Sequence, residues 1–438
     1  MTWLLPFVGG VGALMVLLVL GIPVFAAFLL VNIAGTLLIF GVPGFGLFAN
    51  SIFSTATTTA LATVPLFIVM GEILFRCGAM DVLFDALDRL VGRIRGRQFV
   101  LCILLSAILG ALSGAAMAVA GLLGRSLFPA MRQRGYDTRL AAGTILGGAA
   151  LDPIIPPSVL AVLISTIAGV STGAMLIAGI IPGLLLVGLF LIYVLVRVHF
   201  DPTLAPEASG EMSELRRGSK LLAVIKILPC SLVFLLVMGL IMAGVATPTE
   251  AAATGVAGSV LVAFIYRGLS WRVIAQALSS AITISSLMLL IMCSAVMFSQ
   301  LLTFTGATQA MANSVVRLDL PAPVMLFLMM ALPFVLFMFL DQLAIMMVLI
   351  PIYKPLLTHY SFDAIWFWTL FLIVATVGGL TPPFGYILFA LKSAARDLPT
   401  SEIYAASWPF VWLIVLGMVI LAVFPSMITF LPNLMTAR

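Results

Sequence analysis

The stretch Ile154-Ile155-Pro156-Pro157-Ser158 and its counterpart Leu380-Thr381-Pro382-Pro383-Phe384 decide how this chain folds. Each proline pair lies inside a long apolar run. Proline has no amide hydrogen and its ring clashes with the carbonyl one turn back, so a helix breaks there. The residue before a proline is pushed out of the helical region as well. Both stretches are expected to be unwound loops inside spanning helices, with Gly147-Gly148 and Gly378-Gly379 loosening the preceding turns. Lipid cannot satisfy the freed carbonyls, so such loops face protein, water or a bound ion. Carbonyls at a half-helix C-terminus attract a cation, and amides at the next N-terminus attract an anion. The competing reading is a pair of kinks that serve packing alone; their recurrence at matching positions counts against it.

The matching extends outward from the prolines. Asp137 precedes Pro156 by 19 residues, and Asp363 precedes Pro382 by 19. Gly78-Ala79 lies 35 residues before Ser113-Gly114, and Gly306-Ala307 lies 35 before Asp341. Beyond the pairs come Ser171-Thr172-Gly173 then Pro182, and Thr400-Ser401-Glu402 then Pro409. No single identity is persuasive, but the shared order and register predict an internal repeat.

Composition fixes the medium. Of 438 residues, 63% are hydrophobic and 8% charged, where a soluble domain carries about 25% charged residues. Runs such as Ile227–Val245, Val256–Tyr266 with its flanks, and Trp412–Met427 suit the ~20 residues that a spanning helix needs. Nothing alternates with period two, so the spans, about a dozen, are expected to be helical rather than a barrel. The net charge of +5 does not indicate nucleic acid, because the 21 Lys and Arg are scattered between apolar segments. The run before Leu20 lacks a basic region and a cleavage site, so Met1–Leu20 is expected to be a retained helix.

Basic clusters mark cytoplasmic helix ends. They occur at Arg93/Arg95/Arg97, Arg132/Arg134/Arg139, Arg216/Arg217/Lys220/Lys226, Arg267/Arg272 and Lys392/Arg396. Placing all five inside predicts an outside N-terminus and spans near 3–20, 21–40 and 62–78. A re-entrant hairpin over about 98–131, a broken helix over about 138–170 and a span near 173–198 follow. After the polar cytoplasmic linker 200–219 come spans near 221–243, 247–266 and 277–303. A hairpin over about 321–358 enters from outside, then a broken helix over about 363–390 and a span near 404–430 with the C-terminus outside. The expected fold is an all-α polytopic membrane protein of two inverted repeats, residues 1–199 and 220–438.

The hairpin tips supply the complementary wall. Ala111–Met117 has the small residues that a tight turn between half-spanning helices needs. Asp341-Gln342 holds the equivalent place in the second half, in the otherwise uncharged run Phe337–Leu349. A carboxylate at that depth marks an ion or substrate path, and Asp341 also suits the cap of the helix that follows.

These residues carry a family resemblance. Ser113-Gly114 with Arg134-Gly135-Tyr136-Asp137, Ile155-Pro156-Pro157-Ser158 with Ala178–Gly183, Ala246–Ala253, and Gly379-Leu380-Thr381-Pro382-Pro383 occur in order along the chain. In these the chain resembles the large membrane subunit of the tripartite ATP-independent periplasmic (TRAP) transporters over essentially its full length. The resemblance implies a scaffold and a mobile transport domain working as an elevator in the bacterial inner membrane. It also implies a small four-helix membrane partner and a periplasmic solute-binding protein that delivers an organic anion, a carboxylate or sugar acid. Transport is then driven by Na+ as coupling ion, without ATP. One Na+ is expected between the Ser113–Ala116 tip and the Gly148–Ser158 break, and another between the Asp341–Ala344 tip and the Gly378–Pro383 break. Carbonyls and side-chain oxygens of Ser113, Gly114, Gly148, Ser158, Asp341, Gly378, Gly379 and Thr381 are the implied ligands.

Three positions depart from the family pattern. Members carry a small residue where Asp152 stands, a hydroxyl where Ala115 stands, and a small or polar residue in place of Arg125. Asp152 is open to three readings: ion ligand, proton carrier, or partner of a cation. Arg125 either holds a substrate carboxylate in the cavity shaped by Pro156, Pro157, Pro382 and Pro383, or snorkels or pairs. Thr247-Pro248-Thr249-Glu250 is expected to be a capped helix start, and Glu72 with Arg76 a satisfied pair.

Other function classes fare worse. An intramembrane enzyme needs a converging nucleophile, base or metal cluster, which His199, His359 and the scattered Cys77, Cys102, Cys230 and Cys293 do not supply. No Gly-x-x-x-x-Gly-Lys-Ser/Thr phosphate loop occurs. A channel fits hairpins sealed on opposite faces poorly. The nearest alternative is a stand-alone ion-coupled anion carrier that needs no receptor.

Overall fold

A computed structural model describes residues 4–92, 94–114, 116–206 and 220–436. Among them the regular elements are helices, with no strand. The chain opens with α1 (Leu4–Val19), α2 (Val24–Ile39), α3 (Phe45–Ala56), α4 (Thr63–Arg76) and α5 (Ala79–Val91). A hairpin, α6 (Arg97–Ser113) and α7 (Ala116–Gln133), precedes a broken helix, α8 (Thr138–Ala149) and α9 (Val159–Ala168). Then come α10 (Thr172–Ala178) and α11 (Ile180–Phe200). Past the linker lie α12 (Lys220–Met242), α13 (Pro248–Ile265), α14 (Trp271–Phe304) and α15 (Ala307–Val316). A second hairpin, α16 (Ala322–Phe337) and α17 (Gln342–His359), precedes a second broken helix, α18 (Ala364–Leu380) and α19 (Tyr386–Ala394). The chain closes with α20 (Thr400–Val423) and α21 (Ser426–Thr436). Arg93, Ala115, Arg216 and Arg217 lie outside the described residues, as does most of the linker.

Local chemistry accounts for the helix starts. Asp137 accepts from the Leu140 amide at 2.7 Å and Asp363 from the Trp366 amide at 2.8 Å. Each of these two landmarks caps the helix that its proline pair then breaks. Thr247 and Glu250 form a reciprocal capping box at α13. Seven described helical stretches are long and apolar enough to cross a membrane. Hairpin arms α6 and α16 and the halves of the broken helices are too short, and α7, as long as α17, is less apolar and carries Arg125 and Arg132, which fits elements that enter without crossing alone.

The structure corrects the expected path in two places. The segment between the second and third spans contains α3, which no charge announced. The span near 173–198 is present as Thr172–Phe200, and a Cβ at Gly179 within it would strike the Ile154 carbonyl of the first break. The last span does not run through to residue 430. Pro425 cannot donate to the helix, and Phe424 leaves the helical region at φ −117 and ψ 73. The apolar run Trp412–Met427 is therefore two helices.

The helices pack in two groups. In the first, α4 lies against α13 and α14, with α2, α3, α5 and α12 around them. In the second, α8 packs on α6, α7 and α20, α19 on α7, and α16 on α18. Contacts of α4 and α5 with α6, and of α14 with α17, join the groups. At one end Arg132 of α7 pairs with Asp397 before α20. That hydrogen bond holds the exposed Asp397 carboxyl below its ordinary value.

Close approach in the second group needs glycine. A Cβ at Gly147 would enter the Phe410 ring of α20, and one at Gly143 would lie 2.7 Å from the Ala406 carbonyl. Phe410 cannot retreat, because Phe190 and Tyr193 of α11 stand edge-on to it at 5.0 and 5.6 Å. We predict that Gly147→Ala destabilises the detergent-purified protein by roughly 1–3 kcal/mol through overpacking, outweighing the ~1 kcal/mol of helix propensity it gains. Gly188→Ala, with nothing within 4 Å of the added Cβ, should be neutral or stabilising. Thermal unfolding of both variants checks the pair.

Candidate functional site

The first break is satisfied mostly by its own atoms. The Leu151 amide reaches the Gly148 carbonyl at 3.1 Å, and the Ile154 and Ile155 amides both reach the Leu151 carbonyl at 3.0 Å. Ser158 accepts from the Ala161 amide at 3.1 Å, capping α9, and donates to the Pro153 carbonyl at 2.5 Å. The second break is held differently. Thr381 donates its hydroxyl to the Val377 carbonyl at 2.7 Å, and Tyr404 of α20 donates to the Pro383 carbonyl at 2.8 Å. In both, the bond between the two prolines is cis.

The hairpin tips meet these loops. Gly114 ends α6 at φ 61, a left-handed conformation that favours glycine. A Cβ at Gly110 would lie 2.9 Å from the Asp152 Cα, so α6 runs directly against the first break. At the other tip Asp341 accepts from the Ala344 amide at 3.2 Å and caps α17. Gln342 is buried and donates to the Ala375 carbonyl of α18.

Between the two tips and the two breaks lies a cavity of about 500 Å³. Its walls include the first residues of four helices: Ala116 of α7, Val159 of α9, Gln342 of α17 and Tyr386 of α19. Helix N-termini carry partial positive charge, so their convergence favours negative groups; Ser158 and Asp341 already cap two of these helices and Asp152 takes the Ala116 amide of a third. Three carboxylates also face the cavity: Glu72, Asp152 and Asp341. Glu72 is paired with Arg76 at 2.6 Å. No Lys, Arg or His is among the lining residues. The site thus combines backbone dipoles for negative charge with carboxylates for positive charge.

Of the residues expected at the site, Gly114, Asp152, Ser158 and Asp341 line this cavity. Ser113 ends α6, and its side chain lies outside the described ones. Gly148, Gly378, Gly379 and Thr381 stand one layer back. A Cβ would run into Ser106 at Gly148, Phe337 at Gly378 and the Tyr386 ring at Gly379, so these glycines let the helices close around the site. Pro156, Pro157, Pro382 and Pro383 shape the loops without lining the cavity. The placement of Arg125 as a cavity residue is corrected. It is not among the lining residues and is exposed on α7, two turns beyond Met117, which does line the cavity. Sequence reasoning missed Tyr386, Phe339, Phe384 and Met288 as wall residues. An aromatic or methionine in an apolar chain carries no signal that separates a cavity wall from a core.

Comparison with known proteins agrees with this architecture. The family model described as the DctM component of the tripartite ATP-independent periplasmic transporters matches residues 11–427. A C4-dicarboxylate TRAP transporter large permease protein of Pseudomonas aeruginosa is 29% identical, over 91% of this chain and 92% of that one. An ectoine TRAP transporter large permease protein of Halomonas elongata is 28% identical, over 95% and 97%. A sialic acid TRAP transporter large permease protein of Vibrio cholerae is 26% identical, over 98% of both. Among solved structures, the YdaH transporter of Alcanivorax borkumensis superposes with a TM-score of 0.61 at 15% identity, covering 86% of this chain and 87% of that one, a likeness of fold. With a transporter fold, a cavity at the meeting of two hairpins and two broken helices, and a family match over nearly its whole length, this chain belongs to the large permease (DctM) family of the tripartite ATP-independent periplasmic transporters.

Proposed function

We propose that this chain is the permease of a sodium-coupled secondary transporter that imports a small organic anion, a carboxylate or sugar acid, across the bacterial inner membrane. A periplasmic solute-binding protein delivers the solute and a small four-helix membrane subunit completes the permease. The observation that carries this reading is the cavity onto which four helix N-termini converge. Family membership supports both partners.

Residues 1–199 and 220–438 are two inverted repeats around the linker 200–219, and both termini are periplasmic. Each repeat contributes a hairpin tip and a proline-broken helix to the cavity. The elevator reading is supported by how the walls divide. Ile68, Glu72, Ile284 and Met288 come from α4 and α14 of the first packing group. The tips and breaks come from the second group. A solute held by the second group can therefore travel along the face that α4 and α14 present. Na+ ions fit beside the two tips. One would sit against Gly114, Gly148 and Ser158, the other against Asp341, Gly378, Gly379 and Thr381. Ser158 and Thr381 spend their protons on backbone carbonyls, which leaves lone pairs for a hard cation.

Two outcomes are expected. In vesicles holding the chain with its small partner and receptor, collapsing the sodium gradient abolishes uptake of the receptor's solute; unchanged uptake refutes the coupling. Uptake by the purified chain alone points instead to a stand-alone ion-coupled carrier. Asp341→Asn is expected to raise the half-saturating sodium concentration about tenfold or more, from a lost charge-assisted contact of ~1.5–3 kcal/mol. Folding should be spared, since asparagine caps helices about as well as aspartate. Sodium titration of uptake beside thermal unfolding reads the two effects separately.

A further inference from the structure

Asp152 lies in the first break at 4% exposure, on the cavity wall. The Ala116 amide hydrogen-bonds to its carboxylate. Its Oδ1 has no hydrogen-bond partner among the described residues. A buried carboxylate oxygen without a partner is costly in a membrane unless a cation meets it. Glu72 has Arg76 and Asp341 caps α17, so neither stands as Asp152 does.

Leaving its carboxylates aside, the cavity lining beside Asp152 is richer in aromatic faces than in side-chain oxygens. A hard ion needs several oxygens close together. Apart from carboxylates, the side-chain oxygens on the lining are few: Ser158, already bonded to Pro153 and Ala161, Gln342 and Tyr386. Instead the same cavity carries Phe337, Phe339, Phe384 and Tyr386, with Met117 and Met288. Aromatic faces attract ammonium and guanidinium groups and solvate their alkyl parts. Phe339 and Phe384, both more than half exposed, lie beside each other with ring centroids 6.2 Å apart and planes tilted by 56°.

We propose that the solute carries a cationic nitrogen group, an ammonium, amidinium or quaternary ammonium, beside its carboxylate, and that Asp152 with the cavity aromatics receives that group. The transported solute is then a zwitterion, its carboxylate turned to the helix N-termini and its cation to Asp152. This rests on the permease reading above and makes its solute a zwitterionic carboxylate in place of a simple anion.

The test uses matched pairs that differ only in the positive charge: glycine betaine against 3,3-dimethylbutyrate, and 4-aminobutyrate against pentanoate. Thermal stabilisation of the full purified chain is titrated with each probe in sodium buffer. In the wild type the charged member should half-saturate at about tenfold lower concentration than its uncharged isostere in at least one pair. Asp152→Asn should bring the members of that pair within about twofold of each other, whereas Asp152→Glu keeps the preference. Phe384→Leu, which retains apolar bulk, should reduce it about threefold. Equal response to both members of each pair, no response to either charged member, or a preference that survives Asp152→Asn overturns the proposal. If Asp152→Asn does not fold, the wild-type pairs and Phe384→Leu decide. A variant that changes sodium titration while leaving the pair preference intact makes Asp152 an ion ligand and also overturns it. Uptake that ignores the sodium gradient while the pair preference stands sinks the coupling reading alone.

Discussion

Hydrocarbon offers the peptide backbone no hydrogen bonds, and the rest of this structure depends on that constraint. Two helices are interrupted by proline pairs inside an apolar chain, and every group they release needs a partner. Ser158, Thr381 and Tyr404 supply some partners. The remainder are met by enclosing the breaks in protein. The hairpins provide that enclosure: α6 and α7 pack on α8, and α16 packs on α18. The helix ends left facing inward then give polar points to a largely apolar cavity where none of the lining side chains is basic.

The enclosure explains the glycines. Gly147, Gly148, Gly378 and Gly379 resemble loosened turns, yet all four lie inside helices. Their work is to remove a Cβ where Phe410, Ser106, Phe337 and Tyr386 come close. A half-helix without a full complement of backbone bonds is held by contacts across its sides, and small residues permit the shortest ones. Glycine at these positions therefore shapes the site from behind.

Much of this was legible because proline, aspartate caps and charge act locally. The breaks at Pro156 and Pro382, the caps at Asp137 and Asp363, and the hairpin limits each follow from a few adjacent residues. α3 was not legible, since Phe45–Ala56 follows the Pro43-Gly44 turn and carries no charge to fix its depth. Phe424-Pro425 was legible in principle by the rule that placed the other breaks, but the apolar run around it masked the stop. Arg125 misled for a different reason. Its departure from the family pattern left a substrate partner and a snorkelling side chain both open, and only the folded chain shows that it stands beyond the cavity lining, two turns from Met117. The aromatic wall needed three-dimensional packing, because the same residue types fill the core elsewhere.

The two halves match in their helices and differ in their acids. In the second half the carboxylate is on the tip, at Asp341, where it caps α17. In the first half it is in the break, at Asp152, and its contact to the Ala116 amide reaches across to the start of α7. Both positions place negative charge beside a helix N-terminus, which offsets part of the cost of burying it. The placement still changes what each acid can do. A cap on its own helix is largely occupied by local amides, whereas the acid that crosses from loop to tip keeps a buried oxygen with no hydrogen-bond partner among the described residues. The two halves thus differ at the cavity: the acid of one is a cap on the tip, and the acid of the other sits in the break.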